Sequence, residues 1–268
     1  MSQEPVETNI SVISAGRAGD AGFLAADDLS RIALELQVEY RLIGGNAVTL
    51  LVAAHGVSEL VPTRETADAD FGADYGVVAD PRLPAALYGR GYKRESGNRF
   101  RRRLATSQGE LDLVIDVLAP AYVGRLRTNQ THGELVVDEV PGLALALARP
   151  ATRVRVDVRL TSGTRLVTVL AIPDVASALC LKAYAYRGRF EARDALDIWR
   201  LLEAAHAAGI GAADWPKGGV GLDAARILHS HFGLPSSRGP LSATASRRHQ
   251  ARIRALVAQV VGTSRQLS

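Results

Sequence analysis

Residues 64–71 read Arg64-Glu65-Thr66-Ala67-Asp68-Ala69-Asp70-Phe71. Polar and apolar positions alternate through this stretch, the pattern of a half-buried strand. Successive strand side chains point to opposite sides, so Thr66, Asp68 and Asp70 share one face. Two carboxylates a few ångströms apart repel and require a compensating cation. A divalent ion such as Mg²⁺ supplies one through oxygen ligands and keeps positions open for further oxygens. Read alone, Asp-x-Asp also describes a solvated acidic strand end.

Upstream stands Leu42-Ile43-Gly44-Gly45-Asn46-Ala47-Val48. A short apolar strand, Tyr40 to Ile43, ends in the glycine pair, and helical spacing runs from Ala47 to about His55. Amides exposed at a helix start can cradle phosphate; an ordinary tight turn is the competing reading. An earlier helix is predicted over Phe23–Val38. Downstream, Pro81 and Pro84 open a short helix through Leu87, and Gly91–Leu104 reads as a hairpin turning at Ser96-Gly97-Asn98. The β-rich stretch Leu111–Leu118 is expected to stop at Pro120. It carries Asp116 between Ile115 and Val117, where a carboxylate is costly unless paired or metal-bound. Asp112 shares that face and is a rival. Strands are predicted at Arg153–Leu160 and Arg165–Ile172.

After Pro173 helix formers take over. Helices are expected over Asp174–Arg187, Glu191–Ala207 and Leu222–Phe232, then a Pro/Ser/Gly-rich linker over residues 234–246 and a basic helix, Arg247–Val261. The fold class is therefore α+β: a mixed sheet with flanking helices (residues 1–172) followed by a helical C-terminal lobe (173–268). Lys182 lies on a mostly apolar helix. It either snorkels to water or stands as a point charge for phosphate oxygens. Asp197 belongs to the inward stripe of the next helix, where it could pair with Lys182 or Arg187; Asp194 is its rival.

The 268 residues carry a net charge of +4. No apolar run reaches the roughly eighteen residues of a membrane span. One cysteine, Cys180, excludes an intrachain disulfide, and the polar start MSQEPVETNISVIS is unlike a secretory leader, so a cytoplasmic setting is expected. Lys93, Arg94, Arg99 and Arg101–Arg103 crowd one segment, and Arg247, Arg248, Arg252 and Arg254 another. Such patches either bind phosphate-rich partners or form solvated faces.

The glycine pair opening a helix, the Asp-x-Asp strand and the later apolar strand with Asp116 together resemble the nucleotidyltransferase fold of the DNA polymerase β type. The form Arg-x-Thr-x-Asp-x-Asp after Gly-Gly-x-Ala is similar to the AbiEii/MenT branch of minimal nucleotidyltransferases, many of them bacterial toxins paired with an antitoxin. Lys182 and Arg193-Asp194-Ala195-Leu196-Asp197 match that branch's helical region, so the resemblance spans roughly residues 42–202. It implies Asp68, Asp70, Asp116, Lys182 and Asp197 as catalytic residues, with the first three holding Mg²⁺ or Mn²⁺. Gly44, Gly45, Arg64, Thr66 and Lys182 would bind a nucleoside triphosphate. Asp197 would orient Lys182 or assist the acceptor hydroxyl. The implied acceptor is RNA, such as the 3′ end of a tRNA, and an antitoxin is the implied partner; no membrane is involved. Asn46 departs from the Gly-Ser of many relatives, which leaves Thr66 as the hydroxyl near the triphosphate. A small-molecule (aminoglycoside-type) transferase would want an acidic acceptor pocket, of which no further cluster is evident. A non-catalytic binding module would have little reason to keep all four of Asp68, Asp70, Asp116 and Lys182.

Overall fold

The computed structural model describes residues 8–262. The expectation about the chain start falls partly on residues 1–7, outside the described residues, as do the outer ends of the two expected lobes.

The chain opens with β1 (Thr8–Ile13), α1 (Arg17–Leu36), β2 (Arg41–Ile43) and α2 (Gly44–Ala54). It continues through β3 (Asp68–Gly72), α3 (Tyr75–Val78), α4 (Arg82–Gly89), β4 (Lys93–Ser96), β5 (Arg99–Thr106) and β6 (Gly109–Ala121). Then follow β7 (Arg127–His132), β8 (Leu135–Pro141), α5 (Leu143–Ala148), β9 (Thr152–Arg159) and β10 (Arg165–Ile172). The C-terminal region holds α6 (Val175–Arg189), α7 (Ala192–Ala207), α8 (Gly219–Leu228), α9 (Gly239–Ala243) and α10 (Arg247–Val260). A mixed sheet flanked by helices and followed by a helical region is the expected class.

The larger sheet is organised around β6. Its residues 114–118 pair in parallel with β3 on one edge. The opposite edge is shared: Gly109–Asp116 takes β5, antiparallel, and Leu118–Ala121 takes β8, parallel. β2 extends the β3 edge, β4 the β5 edge, and β7 pairs with β8. A second sheet runs β1-β9-β10. One continuous apolar core, from Ile10 to Val261, joins sheet residues such as Phe71 and Ile115 to helical residues such as Trp199 and Leu256.

Several elements depart from expectation for identifiable reasons. α1 begins at Arg17, six residues before Phe23, because its glycines are required by packing: a Cβ on Gly22 would stand 2.1 Å from the Thr66 carbonyl oxygen. Glycine's weak helix propensity hides a helix start that tertiary contact stabilises. β6 runs through Pro120 to Ala121. β3 has ended at Gly72, opposite Leu118, so beyond that point β6 has one ladder partner and the missing proline N–H costs little. β3 itself starts only at Asp68, leaving Arg64–Ala67 outside the ladder. β1, β7, β8, α3 and α5 were not foreseen. In β8, Glu139 sits at a buried position, paired with Arg127 and His132, and interrupts the apolar alternation that would announce a strand. The stretch 234–246 is no loose linker: it contains α9, whose Gly239 and Pro240 are buried. Cys180 is buried in the core, where desolvation pushes its thiol up.

α6 starts where the Asp174 side chain accepts a hydrogen bond from the Ser177 amide, a helix N-cap. α6 and α7 lie against one another and α7 also packs on α2. α2 in turn contacts β2 and β3, the strand that bears Asp68 and Asp70, and so joins the helical layer to that side of the sheet. No helix among the described residues is long and apolar enough to cross a membrane.

Candidate functional site

Two adjacent strands, β3 and β6, bring the three acids together. Asp70 and Asp116 are register partners across the parallel β3–β6 pair, and Asp68 is two residues along the same face. Side chains opposed across a ladder point to the same side of the sheet. One oxygen each from Asp68, Asp70 and Asp116 can be chosen so that all lie within 4.8 Å of one another. Burial first, then the charges of Asp68 and Asp116, push the Asp70 carboxyl up to about 7, against the pull of Lys182 and Arg189.

The glycine pair is explained by this cluster. Ile43 pairs with Asp70, so α2 begins beside that carboxylate. Gly44 has φ +72°, and a Cβ there would fall 1.8 Å from Asp70 Oδ2. At Gly45 a Cβ would meet Thr66 Oγ1 at 2.1 Å and the Arg64 guanidinium at 2.4 Å. The first turn of α2 therefore closes on Asp70, Thr66 and Arg64 only because side chains are absent there. Asn46 is turned away from the opening: its Nδ2 donates to the Asp68 carbonyl oxygen at 2.8 Å and pins β3 to α2.

The facing wall comes from α6 and α7. Lys182 is buried, its Nζ 2.7 Å from Asp197 Oδ2 and 3.3 Å from Asp194 Oδ1. Asp197 also accepts from Arg64 at 2.9 Å and Arg200 at 3.3 Å. Arg189 forks onto Asp194 at 2.5 and 2.9 Å. Burial works to raise the Asp194 carboxyl, but the Arg189 hydrogen bond and the charges of Lys182 and Arg189 prevail and hold it below its ordinary value. Four cations thus surround two carboxylates, and the surplus positive charge leans toward Asp70 across the opening. The ion pair of Lys182 with Asp197 joins α6 to α7; Arg187, the other partner considered for Asp197, pairs with Asp223 instead.

These walls enclose a cleft of about 710 Å³ lined by Gly44, Gly45, Arg64, Thr66, Asp68, Asp70, Asp116 and Lys182. Asp197 lies behind Lys182 and Arg64, fully buried, outside that lining. Asp112 is also outside, exposed and paired with Arg101 and Arg103. The cleft adds Arg125, Asp138 and Arg189 to the residues named from sequence, and it is also lined by Arg99, expected only as part of the basic patch, and by Arg193 of the helical motif. Arg99 was within reach of sequence reasoning: a tight turn at Ser107–Gln108 puts Arg103 opposite Asp112 and Arg99 opposite Asp116. Arg125 lies in the connection between β6 and β7, and Asp138 on β8, a strand with no sequence signature.

The donor set suits a hard divalent cation. All three groups are carboxylates, their oxygens converge, and a glycine gives the floor room beside Asp70. The basic hairpin is a different matter. Arg101 pairs with Glu95 and Asp112, Arg103 with Glu110 and Asp112, and Arg102, on the opposite face, with Asp28. Its charge is largely answered within the protein.

The fold and cleft define a mixed-sheet protein with a carboxylate triad opposite a cationic helical wall. No protein-family model matches the chain, and a search of curated proteins found no match. Among solved structures, the chain is similar to MenT4, a nucleotidyltransferase toxin from Mycobacterium tuberculosis H37Rv, at 16% identity and TM-score 0.41, covering 94% of this chain and 88% of that one. The functional reading rests on the cleft itself.

Proposed function

We propose that the protein is a metal-dependent nucleotidyltransferase that moves a nucleotide from a nucleoside triphosphate to an acceptor hydroxyl. One observation carries this: convergent carboxylates of Asp68, Asp70 and Asp116 share a cleft with the α2 start and the buried Lys182. Asp68, Asp70 and Asp116 would hold Mg²⁺, or Mn²⁺ in its place. When bound, the metal neutralises phosphate charge and favours in-line displacement. The chain's own residues do the rest. The amides at Gly44 and Gly45 receive phosphate oxygens, which no side chain there obstructs. Arg64 and Thr66 stand beside them, and Lys182, steadied by Asp194 and Asp197, adds a compact positive charge. The acceptor oxygen bonds to the α-phosphorus, pyrophosphate departs with the electrons of the broken P–O bond, and a carboxylate of the acidic face takes the hydroxyl proton.

The proposed acceptor is RNA, such as a tRNA 3′ end, in the manner of a toxin restrained by an antitoxin in the cytoplasm. With the hairpin arginines paired to acids, support for RNA shifts to the cleft's rim, where Arg125 is exposed and has no ion-pair partner among the described residues. The test is incubation with each labelled triphosphate, Mg²⁺ and total cellular RNA. Label should pass to an acceptor with the wild type, and Asp68→Ala or Asp70→Ala should lose transfer while remaining folded. Transfer at the wild-type rate by either folded variant would refute the proposal.

A further inference from the structure

We infer that Arg99 is the resident counter-cation of the carboxylate triad, and that a divalent metal must displace its guanidinium from Asp116 in order to bind. The inference rests on the metal reading of the cleft and goes beyond it by naming what the metal competes with.

Register places Arg99 there. It opens β5 directly opposite Asp116, just as Asp70 is opposite Asp116 on the other edge of β6. All three side chains therefore rise on one face. The guanidinium forks onto Asp116, Nε to Oδ1 at 2.9 Å and the terminal nitrogen to Oδ2 at 2.6 Å. That terminal nitrogen also lies 3.7 Å from Asp68 Oδ2. Among the described residues Arg99 is the cation that pairs with the triad; Arg64, Lys182 and Arg189 spend their ion pairs on Asp194 and Asp197.

The fork engages both Asp116 oxygens, the same atoms a metal would draw upon. Two cations a few ångströms apart also repel, in a site where burial strengthens the repulsion. Arg99 has room to leave. It follows the turn at Gly97–Asn98, its side chain is 40% exposed, and it already lines the cleft. Asp116, at 12%, is held in the sheet and stays. Metal binding at the triad is thus an exchange of one cation for another.

The experiment is Mn²⁺ titration by calorimetry, with free Mn²⁺ followed by electron paramagnetic resonance, on chelator-stripped wild type, Arg99→Gln, Arg99→Lys and Asp70→Asn. Losing a bidentate, charge-assisted competitor should tighten Mn²⁺ binding at least tenfold in Arg99→Gln. Arg99→Lys, which keeps the charge but cannot fork, should fall between. Mn²⁺ should also raise the melting temperature of Arg99→Gln more than that of wild type. Equal or weaker Mn²⁺ binding by Arg99→Gln, with binding still sensitive to Asp70→Asn, overturns the exchange and leaves the metal reading intact. Binding that ignores Asp70→Asn, or no binding by any of the proteins, overturns both. Should Arg99→Gln fail to fold, Arg99→Lys decides: tighter binding than wild type supports the exchange, and equal or weaker binding ends it.

Discussion

Replacing Asp197 by asparagine keeps the shape of the side chain and removes its charge. Asp197 is fully buried and receives Lys182, Arg64 and Arg200, at 2.7, 2.9 and 3.3 Å. The amide would retain one acceptor oxygen, but three cations would lose their shared counter-charge in a desolvated site. Breaking a buried pair by removing one partner costs about 3–5 kcal/mol. For a chain of this size about 2–4 °C of melting temperature corresponds to each kcal/mol, so the variant should melt roughly 6–20 °C below wild type. Lys182→Met is the counterpart. Both carboxylates keep arginine partners, Asp194 with Arg189 and Asp197 with Arg64 and Arg200. The loss should then be about 1.5–3 kcal/mol, the net value of a hydrogen bond to a charged group. Circular dichroism melts of the three proteins, paired with triphosphate turnover, separate the two roles. Asp197→Asn should be the less stable protein, and Lys182→Met the folded one that has lost triphosphate use. An Asp197→Asn variant melting within about 2 °C of wild type would refute the view that this carboxylate anchors the cationic wall, as would Lys182→Met with unchanged kinetics for Lys182 as a phosphate contact.

The raised Asp70 carboxyl has a pH consequence in chelator-stripped protein. Its folded value of about 7 exceeds the ordinary 3.8, so its favourable contribution is complete below about pH 4 and is lost as pH rises through about 7. Asp70→Asn should flatten that part of a stability–pH curve; an unchanged slope would count against the burial and crowding argued for Asp70. Gly44→Ala puts a Cβ on Asp70 Oδ2 in a left-handed backbone, and should cost about 2 kcal/mol or more in denaturant unfolding and abolish Mn²⁺ binding. In RNA-binding salt series, Arg101→Gln/Arg103→Gln should leave the slope unchanged, because both are answered by acids, whereas Arg125→Gln, which removes a cation with no ion-pair partner among the described residues, should lower it by about one.

Much of this arrangement could be read before any coordinates. Alternation at Asp68 and Asp70 put their side chains on one face, and Pro173-Asp174 marked the start of α6, where Asp174 caps the helix. The hairpin turning near Gly97 and the helices carrying Lys182 and Asp197 were equally legible. These are local properties: strand period, helix period and capping chemistry depend on residues a few positions apart.

Other features lay beyond that reach because they depend on residues distant in the chain. Nothing local distinguishes Asp116 from Asp112, both on β6 and both facing the same way; Asp116 joins the cluster because β3 pairs there, beginning only opposite Val114, past Asp112. Pro120 continues β6 because its other edge has no neighbour. Arg101 and Arg103 look like an open basic face until the register of β5 on β6 sets acids beside them. Gly22 reads as a helix weakness until the Thr66 carbonyl is found against it. The period of a segment follows from its own residues, whereas partner, register and local field follow from which segments meet, and those meetings decide which charges are answered and which remain open to a ligand.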